Sequence, residues 1–157
     1  MKTVVHTDQE TMESVIHSCK VCFVGLADTD GTPYVIPMNF GYEQGVVYLH
    51  SAQEGRSISI LDRNPKVCIT FCTDHELAFQ HPHVACSYRM KVKSVIGWGH
   101  VEFEEEMEEK RKILDILMKQ YTDLSFKYSD PAVRNIKIWK IRLEEVSCKE
   151  FGAPHEK

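Results

Sequence analysis

Val21-Cys22-Phe23-Val24-Gly25-Leu26-Ala27 is an apolar run rich in β-formers, and Asp28-Thr29-Asp30-Gly31 directly after it is turn chemistry. The extended run that follows, Tyr34 to Tyr42, makes the two a β-hairpin. Glu43-Gln44-Gly45 is a second turn and Val46-Val47-Tyr48-Leu49-His50 a third strand, so three strands succeed one another through short reversals, the pattern of an antiparallel meander. Pro37 removes one ladder donor from the second strand. That confines it to an edge, a bulge, or a place where something other than a strand meets the backbone.

Upstream, Thr7 and Glu10 stand three apart as in a capping box, and Met12, Val15, Ile16 and Cys19 follow at helical steps, so a short amphipathic helix opens the domain. Downstream, Gly55 to Asp62 reads as one or two helical turns, with Ile58 and Leu61 on one face and a stop at Asn64-Pro65. Val67 to Cys72 is a fourth strand, and Thr73 to His83, which holds His75, His81 and His83, is a polar surface loop. Ala85 to Glu104 is extended, with Gly97 and Gly99 marking bulges or a tight corner. Lys110, Ile113, Leu114, Leu117, Met118 and Tyr121 form one apolar stripe on a helix spanning Glu105 to Tyr121. Asp130-Pro131 closes an irregular connection. In the last strand, Ile136 to Val146, the apolar phase shifts from Ile136/Ile138 to Trp139/Ile141/Leu143, which requires a bulge or burial on both faces. The sum is a mainly β fold with helical additions, a small antiparallel barrel of six strands in one domain covering residues 1–157.

A chain of 157 residues has length for one core. With 43% hydrophobic and 27% charged residues it is of ordinary globular composition, and a net charge of −4 gives no global basic field for nucleic acid or an anionic membrane. No apolar run reaches the ~18 residues of a membrane span, and the amino terminus is too short and polar for a signal peptide, so a cytoplasmic protein is expected. The six cysteines then fit packing in a reducing compartment better than a disulfide scaffold.

Neither G-x-G-x-x-G nor G-x-x-x-x-G-K-[ST] occurs, so a nucleotide must be held by another device. Tyr48 to Arg56 offers one: a strand ending in His50 and Ser51, then Gly55 and Arg56 at a helix start, supplies a hydroxyl, backbone N–H groups and a guanidinium to one anion. A plain strand-to-helix turn with a solvated arginine has the same spacing. Lys91, Lys93 and Ser94 form a second polar group, whose two lysines share one strand face and reach either a common phosphate or water. Cys68, Cys72, His75, His81, His83 and Cys86 invite zinc, but Cys68 and Cys72 in a strand lie about 13 Å apart at ~3.3 Å per residue, too far to share a metal, so no metal site is assigned. Cys19-Lys20-Val21-Cys22 bridges a helix end and a strand, the reverse of the redox C-x-x-C arrangement. Hydrolase and metalloprotease motifs have no anchor. The acidic run Glu102 to Glu109 suits the start of the long helix.

Asp30 to Tyr42, Val47 to Ala52 with Glu54-Gly55-Arg56, Asn64-Pro65-Lys66-Val67 and Lys93 to Gly99 closely resemble the nitroimidazole-resistance branch of the pyridoxamine-phosphate-oxidase-like flavin-binding split barrels. The likeness extends through the helix ending at Tyr121 to the closing strand at Trp139. It implies a homodimeric split barrel with a flavin, FMN or alternatively FAD, at each end of the dimer interface. Carried onto this chain, Pro37, Met38, Asn39 and Phe40 and then Leu49, His50, Ser51 and Ala52 would run beside the isoalloxazine and ribityl chain. Glu54, Gly55 and Arg56 would form the phosphate turn, Lys91, Lys93 and Ser94 a second phosphate-side segment, and Trp139 a contact from the partner subunit.

The activity so implied is a flavin-dependent reductase that takes electrons from NADH or NADPH and passes them to a small planar acceptor such as a 5-nitroimidazole. His50 is the candidate catalytic residue, because imidazole titrates near neutral pH; hydrogen bonding to the cofactor alone is its other reading. The rival functions are oxidation of an aminated pyridoxal-type phosphate and a non-catalytic flavin- or haem-binding module, the latter kept open by His75, His81 and His83.

Overall fold

A computed structural model describes residues 2–73 and 75–153. The elements are β1 (Lys2–His6), α1 (Gln9–Ser18), β2 (Cys22–Ala27), β3 (Pro33–Met38), β4 (Gly41–Glu43), β5 (Val46–Ala52), α2 (Arg56–Leu61), β6 (Lys66–Cys72), β7 (Glu76–Ala78), β8 (Arg89–Glu104), α3 (Met107–Lys119), α4 (Asp130–Arg134), β9 (Ile136–Arg142) and β10 (Glu145–Ala153). The strands join one antiparallel sheet in the order β3-β2-β6-β8-β9-β5-β4, with β10 on β8, β1 on β10 and β7 on the start of β8. Curled on itself, it is a split barrel; where six strands were expected, the sheet of the described residues holds ten, and β10, nine residues long with Cys148 buried in the core, is a wall of the barrel together with β2, β3, β5, β6, β8 and β9.

Side-chain alternation sets the curl. Cys22, Val24 and Leu26 on β2, Val67, Ile69 and Phe71 on β6, and Val95 on β8 all point inward and are buried. The long β8 turns the corner: its inward edge pairs with β10 as far as Trp98 and with β9 from Val101. Gly97 and Gly99 stand at that change of partner, in regular register with β6, so they mark a corner and not a bulge. A Cβ on Gly99 would lie 2.3 Å from the Arg142 carbonyl oxygen, so only glycine lets the strands approach this closely.

The phase shift in the closing strand is two-sided burial. Trp139 and Ile141 face the barrel core, while Ile138 faces outward under α3 and packs with Ile113 and Leu117.

Several expectations are corrected. The run from Tyr34 to Tyr42 breaks at Asn39-Phe40, because Phe40 turns inward to complete burial and gives its N–H to the Tyr121 hydroxyl at 2.9 Å instead of to a strand. The meander ends there: β4 and β5 form their own hairpin, and β5 pairs with β9, not with β3. The opening helix is capped by Asp8, whose carboxylate accepts from the Thr11 N–H, and not by Thr7. A strand, β1, precedes that helix, and β7, α4 and β10 lie in segments read as loop, connection or strand end.

Candidate functional site

The sheet is open along one seam. Among the described residues β3 pairs only with β2, and β5 pairs with β4 only as far as Tyr48, so Leu49 to Ala52 has a neighbour on the β9 side alone. Two strand edges therefore border one gap, with Asn39-Phe40 at its closed end. Backbone groups along such edges need partners other than a strand, and Pro37 on the β3 lip has no N–H to leave unpaired.

The closed end is tied down firmly. The Tyr121 hydroxyl accepts from Phe40 N–H and donates to the Lys20 carbonyl at 2.9 Å, and the Asn39 side-chain amide reaches the same carbonyl at 3.4 Å. Gln120 beside it donates to the carbonyls of Cys19 at 2.8 Å and His17 at 3.0 Å, satisfying the carboxyl end of α1. The Phe40 ring packs edge-on against Phe71, with centroids 4.9 Å apart. Sequence reading missed Tyr121 as part of the site; its position at the end of the α3 stripe marked it only as a packing residue.

At the open end, Gly55 adopts φ +138°, a conformation that favours glycine, and the chain swings into α2 with Arg56 first. Arg56 is exposed, and its guanidinium lies over the Tyr34 ring of β3 at 4.6 Å. One cation thus spans the two lips, and among the described residues it has no carboxylate partner. Arg63, just past the end of the same helix, differs: it grips Asp28 through Nε and Nη2 at 2.8–3.1 Å, and these hydrogen bonds lower the pKa of that carboxyl. Glu54 and Gly55 border a depression of about 270 Å³ together with Ser59 and Asp62.

Of the other predicted residues, Pro37, Asn39, His50 and Ala52 are exposed, Met38 and Ser51 half-buried, and the side chains of Phe40 and Leu49 face the core, so those two meet the seam only through backbone. The protein around the His50 ring desolvates it and lowers its pKa, which keeps the imidazole neutral at pH 7. Ser51 donates to the Ala52 carbonyl at 2.8 Å and accepts from Trp139 Nε1 at 3.0 Å.

That last bond corrects the reading of Trp139. Its side chain is 0% exposed inside its own barrel, sealed by Phe103 and the Ser51 hydroxyl, so it is a wall of the core that holds β5 and not a contact for a partner. The second basic group is also elsewhere. Lys93 sits beside Thr73, six residues along β6 from the Val67–Leu26–Tyr34 row near Arg56, about 20 Å at ~3.3 Å per residue. Lys91 pairs with Glu76 at 2.9 Å and Lys93 approaches Glu150 at 3.8 Å, while Ser94 points to the outer face opposite Cys72. Within one chain, therefore, these three do not converge with Arg56. Among the described residues no cluster of three or more His, Cys, Asp or Glu is arranged for a metal.

The outer face of the sheet is apolar and open. Val35 is 62% exposed and Phe23 47%, and they share that face with Thr70, Ile96 and Trp98. A planar group with an anionic tail fits what the seam presents: two unpaired backbone edges, a neutral imidazole, an apolar floor, and a guanidinium without a carboxylate partner.

A split barrel with such a seam defines a class of fold, and comparison identifies the family. The profile described as pyridoxamine 5'-phosphate oxidase matches residues 8–150, and the chain belongs to that family. It is similar to a solved structure from Bacteroides thetaiotaomicron VPI-5482, described as a candidate 5-nitroimidazole antibiotic resistance protein, with 51% identity, 96% of this chain and 88% of that one covered, and a TM-score of 0.87. Two more distant structures share the fold. The flavocytochrome Anf3 of Azotobacter vinelandii is 21% identical over 96% of this chain and 70% of its own, with a TM-score of 0.82. A FAD- and haem-binding protein of Mycobacterium smegmatis is 15% identical over 100% and 77%, with a TM-score of 0.84. Among curated proteins, none matches the sequence. Among the described residues, no helix is long and apolar enough to cross a membrane.

Proposed function

We propose that this chain is a flavin-dependent reductase of small nitroaromatic compounds, with FMN as its cofactor and a homodimer as its working form. The observation that carries the reading is the seam, whose two lips are bridged by Arg56 over Tyr34 and whose closed end is fixed by the Phe40 backbone on the Tyr121 hydroxyl. The likeness to the Bacteroides structure supports the nitroimidazole acceptor.

The chemistry a flavin would supply there is two-electron transfer, with NADH or NADPH as donor and the nitro group as acceptor, which with two electrons and two protons becomes a nitroso group and water. The chain's own tasks are to hold and to shield. Arg56 would neutralise the phosphate, and FAD, whose second phosphate and adenylate lie further out, would use the same turn. The backbone edges of Pro37 to Phe40 and of His50 to Ala52 would pair with the polar rim of the ring system. His50, kept neutral by its surroundings, is able to accept a hydrogen bond or a proton at the seam. Ser51 serves indirectly: its hydroxyl is committed to Trp139 and Ala52, so it fixes the β5 lip and leaves the anion to Arg56. The open outer face gives a second copy an apolar surface to cover, and assembly is the one way for Lys93 and Ser94 to approach a phosphate at Arg56.

The test is direct. Purified protein is loaded with FMN, and anaerobic NADPH or NADH is added, followed by a 5-nitroimidazole. Bleaching of the flavin bands and their return with loss of the nitro absorbance supports the reading. Failure to take up FMN or FAD overturns it, and a Soret band in place of flavin bands would transfer the site to haem.

A further inference from the structure

Among the described residues Lys110 is the one charged residue that is buried, its side chain 3% exposed. It stands on the apolar stripe of α3 with Ile113 and Leu117, where a leucine or methionine would pack without the cost of desolvating a cation. The ammonium is not spent on a close ion pair. Glu105 lies 3.6 Å away, and the other oxygen of that carboxylate is held by Lys137 at 2.6 Å. The short hydrogen bond of Lys110 goes instead to a backbone carbonyl, that of Ile136, at 2.9 Å.

The same carbonyl has a second donor. The Gln53 side-chain amide donates to Ile136 at 2.8 Å and also to the Arg134 carbonyl at 2.9 Å. A carbonyl oxygen has two lone pairs, so Lys110 and Gln53 together saturate it. Their place in the fold gives the arrangement its consequence. Ala52 and Ile136 are the last partners of the β5–β9 ladder, and at Gln53 the chain leaves the sheet for the turn Glu54-Gly55-Arg56. Gly55 has a positive φ and open space around its Cβ position, so the tip of the turn is not held by packing. Its fixed end is Gln53. A buried cation on α3 locks the first residue of β9, and Gln53 ties the start of the turn to that locked point, just ahead of the guanidinium that lies over Tyr34.

We propose that Lys110 and Gln53 are positioning residues for the phosphate turn: by sharing the Ile136 carbonyl they fix the point from which residues 54–56 depart, and so aim Arg56 at the phosphate of the bound flavin. This rests on the flavin site proposed above. Both residues act through the backbone. Lys110 has no surface to offer a ligand, and the Gln53 amide hydrogens are engaged by two carbonyls. Their contribution therefore belongs to recognition of the phosphate and not of the ring system, which is assigned to the edges of β3 and β5.

Riboflavin, which has the ring system and ribityl chain of FMN but no phosphate, makes the test. Apoprotein is titrated with FMN and with riboflavin by fluorescence, and the ratio of the two Kd values is read. In Gln53→Ala and in Lys110→Met the riboflavin Kd is expected to stay while that of FMN rises about three- to tenfold, the reach of one lost hydrogen bond. In an Arg56→Ala background, where the turn has no cation left to aim, neither change is expected to alter the ratio further. Equal weakening of both flavins would overturn the inference and make the pair a plain structural tie. An unchanged ratio overturns it too, as does a ratio that still falls when Arg56 is absent. If Lys110→Met does not fold, Gln53→Ala, at a half-buried position, decides alone. An unaltered protein that takes up no flavin, or binds riboflavin as tightly as FMN, defeats the underlying site assignment instead, and is recognised before any variant is made.

Discussion

The two faces of one sheet are both apolar and meet opposite fates. On β2, Cys22, Val24 and Leu26 are buried within the chain, yet Phe23 between them is 47% exposed, and Val35 on β3 is 62% exposed on the same outer side. The inner face is finished by intrachain contacts. The outer face and the seam beside it, where the residues proposed to hold a cofactor gather, are not. The difference teaches that this chain closes its barrel with its own residues and leaves the outer face and the seam open.

Breaking the inner face should have the largest effect. Trp139→Ala empties the centre of the barrel and unties Ser51, and is expected to cost about 3–5 kcal/mol of stability in urea unfolding. Flavin should be lost with the fold. Arg56→Ala should separate the two regions: unfolding stays unchanged, because the side chain is exposed, while flavin affinity falls by about 1.5–3 kcal/mol, roughly 10- to 150-fold, in a fluorescence titration. An altered melting curve with unaltered affinity would place Arg56 among the structural residues. Val35→Asp sharpens the contrast further, since a charge on the outer face should leave the circular dichroism spectrum intact and weaken self-association about tenfold in sedimentation equilibrium, a loss of ~1.4 kcal/mol. The smallest effect belongs to His50. Its folded pKa lies below the unfolded value near 6.5, so as pH falls through that region the unfolded chain takes up the proton first and stability declines. Urea midpoints of His50→Gln should show a shallower decline toward acid pH than those of the unaltered protein.

The sequence was most legible where the pattern is local. The β2–β3 hairpin, α2, β6, the length of β8 and the stripe of α3 are all read from periodicity and turn residues, because neighbours in sequence decide them. Pairings between distant segments were not: β5 with β9 and β1 with β10 join residues about ninety and more than a hundred and forty positions apart, and no local signal announces them. In the site, the sequence singled out Pro37 as a place where something other than a strand meets the backbone and Tyr48 to Arg56 as an anion-binding turn, and only the family resemblance set the two segments side by side. What it lacked was side-chain direction. Trp139 on a strand buried on both faces has no periodicity to say which way it points, Lys91 and Lys93 meet carboxylates from Glu76 and Glu150 that only folding brings near, and Tyr121 serves the lip through a hydroxyl that a helical stripe counts as apolar.

The central claim, that two copies complete one flavin seam each, is tested most directly by native mass spectrometry of the FMN-loaded protein at micromolar concentration. The account predicts a species of two chains with two FMN molecules. A single chain carrying one FMN would contradict it.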